Sequence, residues 1–276
     1  MAAIGLALGA SLSWGFADFF GPLKGRTLGA LRTLVYVQFG GLIAIAVIVA
    51  VRGKGPEHAT ALLAVPAAVS GTLGLYAFYR GMAVGAMSVI APIAGISAAL
   101  PVIVGVASGD RLSALKIAGI VCALAGVYLA AREPGRTGSR VAAGVGLALL
   151  AALGFGAYFP FMHAAGRGDF WWASLFFRMT STSVILAAVA LQRPQVGIRA
   201  REVPALFLIG FGDMFGNLLF AAASSRGLVS IVSVLASLYP VVTILLARAI
   251  LSERVARTQE GGIALTLAGV ALISAG

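Results

Sequence analysis

Apolar residues run along this chain in ten stretches of about 20 residues each, parted by short polar breaks. They cover about 2–20, 28–51, 60–80, 84–107, 113–131, 142–164, 170–192, 203–224, 228–250 and 257–275. A hydrocarbon core about 30 Å thick takes roughly 20 apolar residues per helix, so the pattern predicts ten transmembrane helices. Inside lipid every backbone polar group needs a partner within the protein, which leaves helices or closed barrels. These runs are too long and too continuously apolar for barrel strands, in which lipid-facing and lumen-facing residues alternate. The expected fold class is an all-α polytopic membrane protein.

The longest polar break, Arg132-Glu133-Pro134-Gly135-Arg136-Thr137-Gly138-Ser139-Arg140, falls near the middle. It divides the chain into a first five-helix repeat at 1–131, a central polar linker at 132–141 and a second five-helix repeat at 142–276. The halves share a signature. Leu100-Pro101-Val102 matches Tyr239-Pro240-Val241, and Trp14-Gly15 matches Phe155-Gly156. Asp110-Arg111-Leu112, then Gly119 and Gly126-Val127, match Glu253-Arg254-Val255, then Gly262 and Gly269-Val270. An odd number of helices per copy makes the second copy enter from the opposite side. Ten helices in two inverted five-helix repeats are the layout of secondary transporters, whose binding site lies between the repeats near midplane.

A proline within the fourth helix, an acid after it and two glycines seven apart in the fifth resemble the drug/metabolite transporter superfamily. The ten-helix EamA-type members carry this arrangement twice, as this chain does over nearly all its length. Within them the chain is most similar to amino-acid exporters of the YddG kind. The resemblance implies a transporter, not an enzyme, exporting small metabolites, with amino acids (aromatic ones included) as the favoured substrate class. Asp110 stands where Glu is usual, and Lys116 where the second copy keeps Gln259; both lie at a membrane boundary.

Composition agrees with immersion in lipid: 60% of residues are hydrophobic, only 11% are charged, and the mean hydropathy is +1.02. Soluble domains carry about 25% charged residues. A net charge of +11 would elsewhere point to nucleic acid, but here Lys and Arg sit in short loops, where they act as topology signals. No nucleic-acid partner is expected; the partners are a small-molecule substrate, an amino acid or similar metabolite, and membrane lipid. Links after odd-numbered spans hold thirteen basic residues against six after even-numbered ones. That count places both termini outside the cytoplasm, whereas the family resemblance places them inside, so orientation stays open. Met1-Ala2-Ala3-Ile4-Gly5 has no basic region before its apolar run and reads as a retained first helix. The expected location is the bacterial cytoplasmic (inner) membrane. The one cysteine, Cys122, can form no internal disulfide. No Walker motif, zinc-ligand spacing or nucleophile elbow is present, so no cofactor, metal or catalytic residue is expected.

Function must then sit in the polar and helix-breaking residues within the spans. Asp213 and Asn217 share one face near the centre of the eighth span. A central Asp costs roughly 2.5–3.5 kcal/mol on insertion scales, so it should face the interior or a wet cavity. It could bind a substrate cation, carry a coupling proton, or pair with Arg178. Asp18, one turn beyond Trp14, reads as a solvated helix end. Trp14, Tyr79, Tyr158 and His163 could line an aromatic wall that attracts cations through ring faces, while Trp171 and Trp172 read as an interfacial belt. Pro92, Gly95 and Pro101 break the fourth span and Pro240 the ninth, freeing carbonyls beside Ser97 and Tyr239 for an ammonium group and marking candidate gates. Four-residue glycine spacings at Gly5/Gly9, Gly81/Gly85, Gly105/Gly109 and Gly212/Gly216 predict close helix crossings. Two rival functions remain, a proton-coupled exporter of cationic drugs using Asp213 and a non-transporting membrane assembly subunit.

Overall fold

The computed structural model describes residues 1–84, 90, 94–130, 139–251 and 257–275, and every regular element among them is helical. The helices are α1 (Ala2–Leu28), α2 (Ala30–Arg52), α3 (Ala64–Val84), α4 (Ala99–Ala107) and α5 (Ala114–Ala130). They continue as α6 (Ser139–Gln192), α7 (Val203–Ser224), α8 (Val229–Ala236), α9 (Tyr239–Leu251) and α10 (Arg257–Ala275). Among the described residues five segments are both long and apolar enough to cross a membrane, and one of them, Gly146–Gln192, is 47 residues long. It holds two crossings, because Asp169 leaves helical geometry at φ −146°, ψ 96°. The Asp169 Oδ1 atom accepts the backbone N–H groups of Trp171 and Trp172 at 3.1 and 3.2 Å, which caps the second arm. The belt reading of these tryptophans fits their place: Trp172 Nε1 donates to the loop carbonyl of Lys54 at 2.9 Å, and Arg52 lies over the Trp171 ring.

The fourth and ninth spans are broken in matching ways. A 3₁₀ turn at Ile96–Ala98 leads into α4, and a turn at Ser237 and Leu238 separates α8 from α9. Pro101 and Pro240 do not kink a continuous helix, as the sequence suggests; each lies in the first turn of a second helix. An N–H there has no intrahelical acceptor, so proline is tolerated. Gly95 is buried just before the 3₁₀ turn, and Pro92 lies outside the described residues, as do Gly85 and the Glu253-Arg254-Val255 match.

The repeated glycines show how the halves meet. A Cβ on Gly119 would lie 2.8 Å from the Gly269 carbonyl, and one on Gly126 would lie 2.7 Å from the Gly262 carbonyl. Ascending positions on α5 thus meet descending positions on α10, so these helices are antiparallel. Each contact also joins a first-copy glycine to the partner of the other first-copy glycine, the reciprocity of a two-fold axis. The same relation holds at two further crossings. Gly15 packs on Tyr239 as Gly156 packs on its match Leu100, and Gly216 packs on Trp14 as Gly74 packs on Phe155. The fold is two inverted repeats.

The four-residue glycine spacings work differently from expectation. Gly5 faces open space, Gly212 meets nothing nearer than 3.9 Å, and Gly109 sits in a turn at φ +100°. Only Gly9, Gly81, Gly105 and Gly216 are tightly packed. Close approach is carried instead by single glycines that meet backbone on the partner helix, such as Gly40 against Phe207 and Gly154 against Gly74.

Candidate functional site

Both repeats contribute to a central cavity of about 60 Å³, smaller than the roughly 300–1,000 Å³ of sites that hold a drug-sized ligand. The first repeat supplies Trp14 and Asp18 from α1, Gln38 from α2, and Gly71, Thr72 and Leu75 from α3. From α6 come Phe155, Tyr158 and Phe159 on the first arm and Phe177 and Ser181 on the second. Asp213 and Asn217 of α7 and Tyr239 of α9 complete the lining.

One wall is aromatic. The Tyr158 ring stands edge-on to Trp14 at 5.9 Å and to Phe177 and Phe159 at 5.3 Å each. Edge-to-face pairs at 4.5–7 Å are favoured by ring quadrupoles. Phe155 meets Tyr239 in the same way at 6.4 Å. The Tyr158 hydroxyl is buried and makes no hydrogen bond among the described residues; that of Tyr239 is buried beside the Ser97 hydroxyl.

The polar wall holds two carboxylates in contrasting states. Arg178, fully buried on the second arm of α6, donates from Nη2 to Asp213 Oδ2 at 2.7 Å and from Nη1 to Gln38 Oε1 at 2.5 Å. Asp213 therefore has its counter-charge inside the protein. Asn217 Nδ2 donates to the Asp213 carbonyl at 2.7 Å, which leaves its own amide oxygen as an acceptor. The Thr72 hydroxyl donates to that of Ser181 at 2.7 Å across the α3/α6 contact. A Cβ on Gly41 would lie 3.0 Å from Arg178 Nε, so the glycine makes room for the guanidinium.

Asp18 is the other carboxylate. It is 7% exposed and makes no hydrogen bond or ion pair among the described residues. It is no solvated helix end, because α1 continues to Leu28. Pro22, inside α1, cannot supply the N–H that the Asp18 carbonyl would accept in an unbroken helix. One residue thus brings an unpaired carboxylate and a carbonyl lacking its usual helical donor.

The residues named from sequence divide accordingly. Trp14, Tyr158, Asp213, Asn217 and Tyr239 meet around the cavity. Tyr79 does not line it: its hydroxyl is pressed against Gly21 and its ring against Gly25, bracing α3 on α1. Ser97 lies behind the Tyr239 wall, its buried hydroxyl beside that of Tyr239. His163 lies further along α6, in the field of Arg167 and Asp110, with Nδ1 buried and unpartnered. Sequence reasoning passed over Asp18, Gln38, Thr72 and Ser181 as site residues. The signal for Asp18 was present, since it follows Trp14 by four residues and shares its helix face. Among the described residues no group of three His, Cys, Asp or Glu side chains could hold a metal.

The duplication is also what the sequence comparison finds. The EamA-like transporter family matches residues 1–132 and 142–275, once over each half. The chain belongs to the EamA-like transporter family. It is an integral membrane protein of a family of small-molecule transporters. A solved crystal structure superposes at a TM-score of 0.80, covering 99% of this chain and 98% of its own, at 20% identity. That likeness speaks for the fold alone. A comparison with curated proteins finds no match.

Proposed function

We propose that this EamA-family transporter exports small amine-bearing metabolites, foremost amino acids including aromatic ones, across a bacterial cytoplasmic membrane by alternating access. The observation that carries the reading is Asp18, a buried carboxylate without a partner among the described residues, facing an aromatic cavity built by both repeats. An ammonium group would satisfy Asp18, and ring faces add cation attraction. An apolar or aromatic side chain would lie against Trp14, Tyr158 and Phe177. The Ser181 hydroxyl accepts from Thr72 and keeps its own proton; it is within the same lining and can donate to a carboxylate. Asp213 is assigned a supporting role, since Arg178 already neutralises it. The halves would rock about the crossings of the repeated glycines, exposing the cavity to each side in turn.

The same carboxylate favours one rival, an exporter that exchanges a cationic drug for a proton. The pairing of Asp213 moves that coupling role to Asp18 as well. Reconstituted vesicles separate the two. With amino-acid export, labelled phenylalanine or leucine loaded on one side undergoes counterflow without a pH gradient, and Asp18→Asn abolishes it. If only lipophilic cations move, and only down an imposed proton gradient, the amino-acid reading fails.

A further inference from the structure

A second cleft lies outside the transport cavity, on the outer face of the α1/α7 crossing. Ala17, Ala205 and Gly212 give it a floor of small residues, and Phe16, Leu208 and Phe211 give it walls. Those wall residues are 50%, 70% and 44% exposed, so nothing among the described residues covers them fully. The cleft holds about 530 Å³. Its helices are antiparallel: Ser13 donates to the Gly212 carbonyl at one end at 2.7 Å, and Lys24 meets Glu202 at the other at 2.5 Å. From Ser13 to Lys24 is eleven residues, which at 1.5 Å per residue gives a length of about 16 Å. One leaflet of a hydrocarbon core about 30 Å thick measures about 15 Å.

At Lys24 the apolar cleft runs into a polar one. Lys24, Arg32 and Arg199 surround it with Glu202 as the one acid in its lining. Arg32 also donates to the Gln195 carbonyl at 2.6 Å, which holds the loop before α7 against α2. The result is a leaflet-length apolar channel that ends in a cluster with excess positive charge. Basic pockets beside membrane helices at the headgroup level attract anionic headgroups.

We infer that the α1/α7 cleft is a binding site for one anionic phospholipid, with an acyl chain along Phe16, Leu208 and Phe211 and its phosphate at Lys24, Arg32 and Arg199. The site is separate from the transport cavity, and its test does not depend on what the protein transports. The full-length protein, delipidated in mild detergent, is titrated with phosphatidylglycerol or phosphatidylcholine of identical acyl chains and observed by native mass spectrometry. The expected result is at least fivefold tighter retention of phosphatidylglycerol. Lys24→Ser combined with Arg199→Ser removes that preference, and Lys116→Ser, in the first turn of α5, leaves it intact. Leu208→Trp, at a side chain that is already exposed, blocks the cleft and lowers retention without touching a charge. Equal retention of the two lipids, or variants that bind as the parent does, would overturn the assignment. So would displacement of the lipid by millimolar inorganic phosphate, which would make the basic cluster a free-anion site. A dimer forming through this face in place of lipid uptake would overturn it too.

Discussion

α1 and the first arm of α6 occupy equivalent places in the two repeats, yet they line the cavity with opposite chemistry. Trp14 and Phe155 correspond, and each packs against an equivalent glycine, Gly216 or Gly74. Four residues on, α1 carries Asp18 where α6 carries Phe159, and both face the cavity. The acids are handled just as unequally. Asp213, contributed by the second repeat, is tied to Arg178 of that repeat, while Asp18 of the first repeat has no partner among the described residues. The difference teaches that the frame and the lining answer to separate demands. Duplicated glycines hold the frame because backbone must meet backbone in both copies. The lining has diverged because a solute without two-fold symmetry needs unlike walls.

The sharpest way to break this contrast is to remove the cation that neutralises Asp213. Arg178→Met leaves the half-buried Asp213 carboxylate at the cavity without its counter-charge, and losing one partner of a buried pair costs at most about 3–5 kcal/mol. The variant should fail to purify as a monodisperse species or show a large fall in thermal stability. Adding Asp213→Leu should recover much of the loss, because an apolar pair of similar volume is often neutral. If Arg178→Met alone is as stable as the parent, the paired acid is not structural and the two carboxylates are alike.

Asp18→Asn should produce the complementary phenotype. Counterflow should drop at least tenfold, about 1.4 kcal/mol of binding or barrier, while thermal stability stays within about 0.5 kcal/mol. A variant that transports normally would remove Asp18 from the site. The frame is tested by Gly119→Ala and Gly269→Ala. Each new methyl would press on the facing helix, Gly119→Ala at 2.8 Å and Gly269→Ala at 2.6 Å from the opposite glycine's carbonyl. Overpacking of this kind costs about 1–3 kcal/mol. Because the two glycines face each other across one crossing, their costs should be similar. A loss confined to one of the two would mean that one of the facing helices yields where the other does not.

Much of the fold was legible because hydropathy reports immersion directly, and the repeated Pro and Gly positions reported the duplication. The pair of Asp213 with Arg178 was also legible as one of three alternatives, since a mid-span acid requires an explanation. Asp18 was misjudged for a local reason. Gly21-Pro22 and then Lys24 and Arg26 look like the end of a span, yet the helix continues to Leu28, and Lys24 pairs with Glu202 just before α7. Tyr79 was misjudged for a tertiary one: an aromatic deep in a span can face either a cavity or a neighbouring glycine, and only Gly21 and Gly25 on another helix decide it. Thr72 and Ser181 carry no pattern at all, since small hydroxyl side chains are tolerated anywhere in a membrane helix. Only the α3/α6 contact brings them together at the cavity.

The smallest expected effect is at Tyr158, and it tests whether the aromatic wall acts through its ring or its hydroxyl. The hydroxyl is buried without a hydrogen bond, a state that costs about 1–3 kcal/mol relative to a satisfied one. Tyr158→Phe removes that group and keeps the edge-on packing against Trp14 and Phe177. Stability should therefore hold or rise by up to about 1 kcal/mol, and counterflow of an aromatic amino acid should change less than threefold. Tyr158→Ala should instead lose the wall and most transport with it. A strong transport defect in Tyr158→Phe at unchanged stability would mean that the hydroxyl finds its partner on the solute, which would move the polar contact from the Asp18 side to the aromatic side of the cavity.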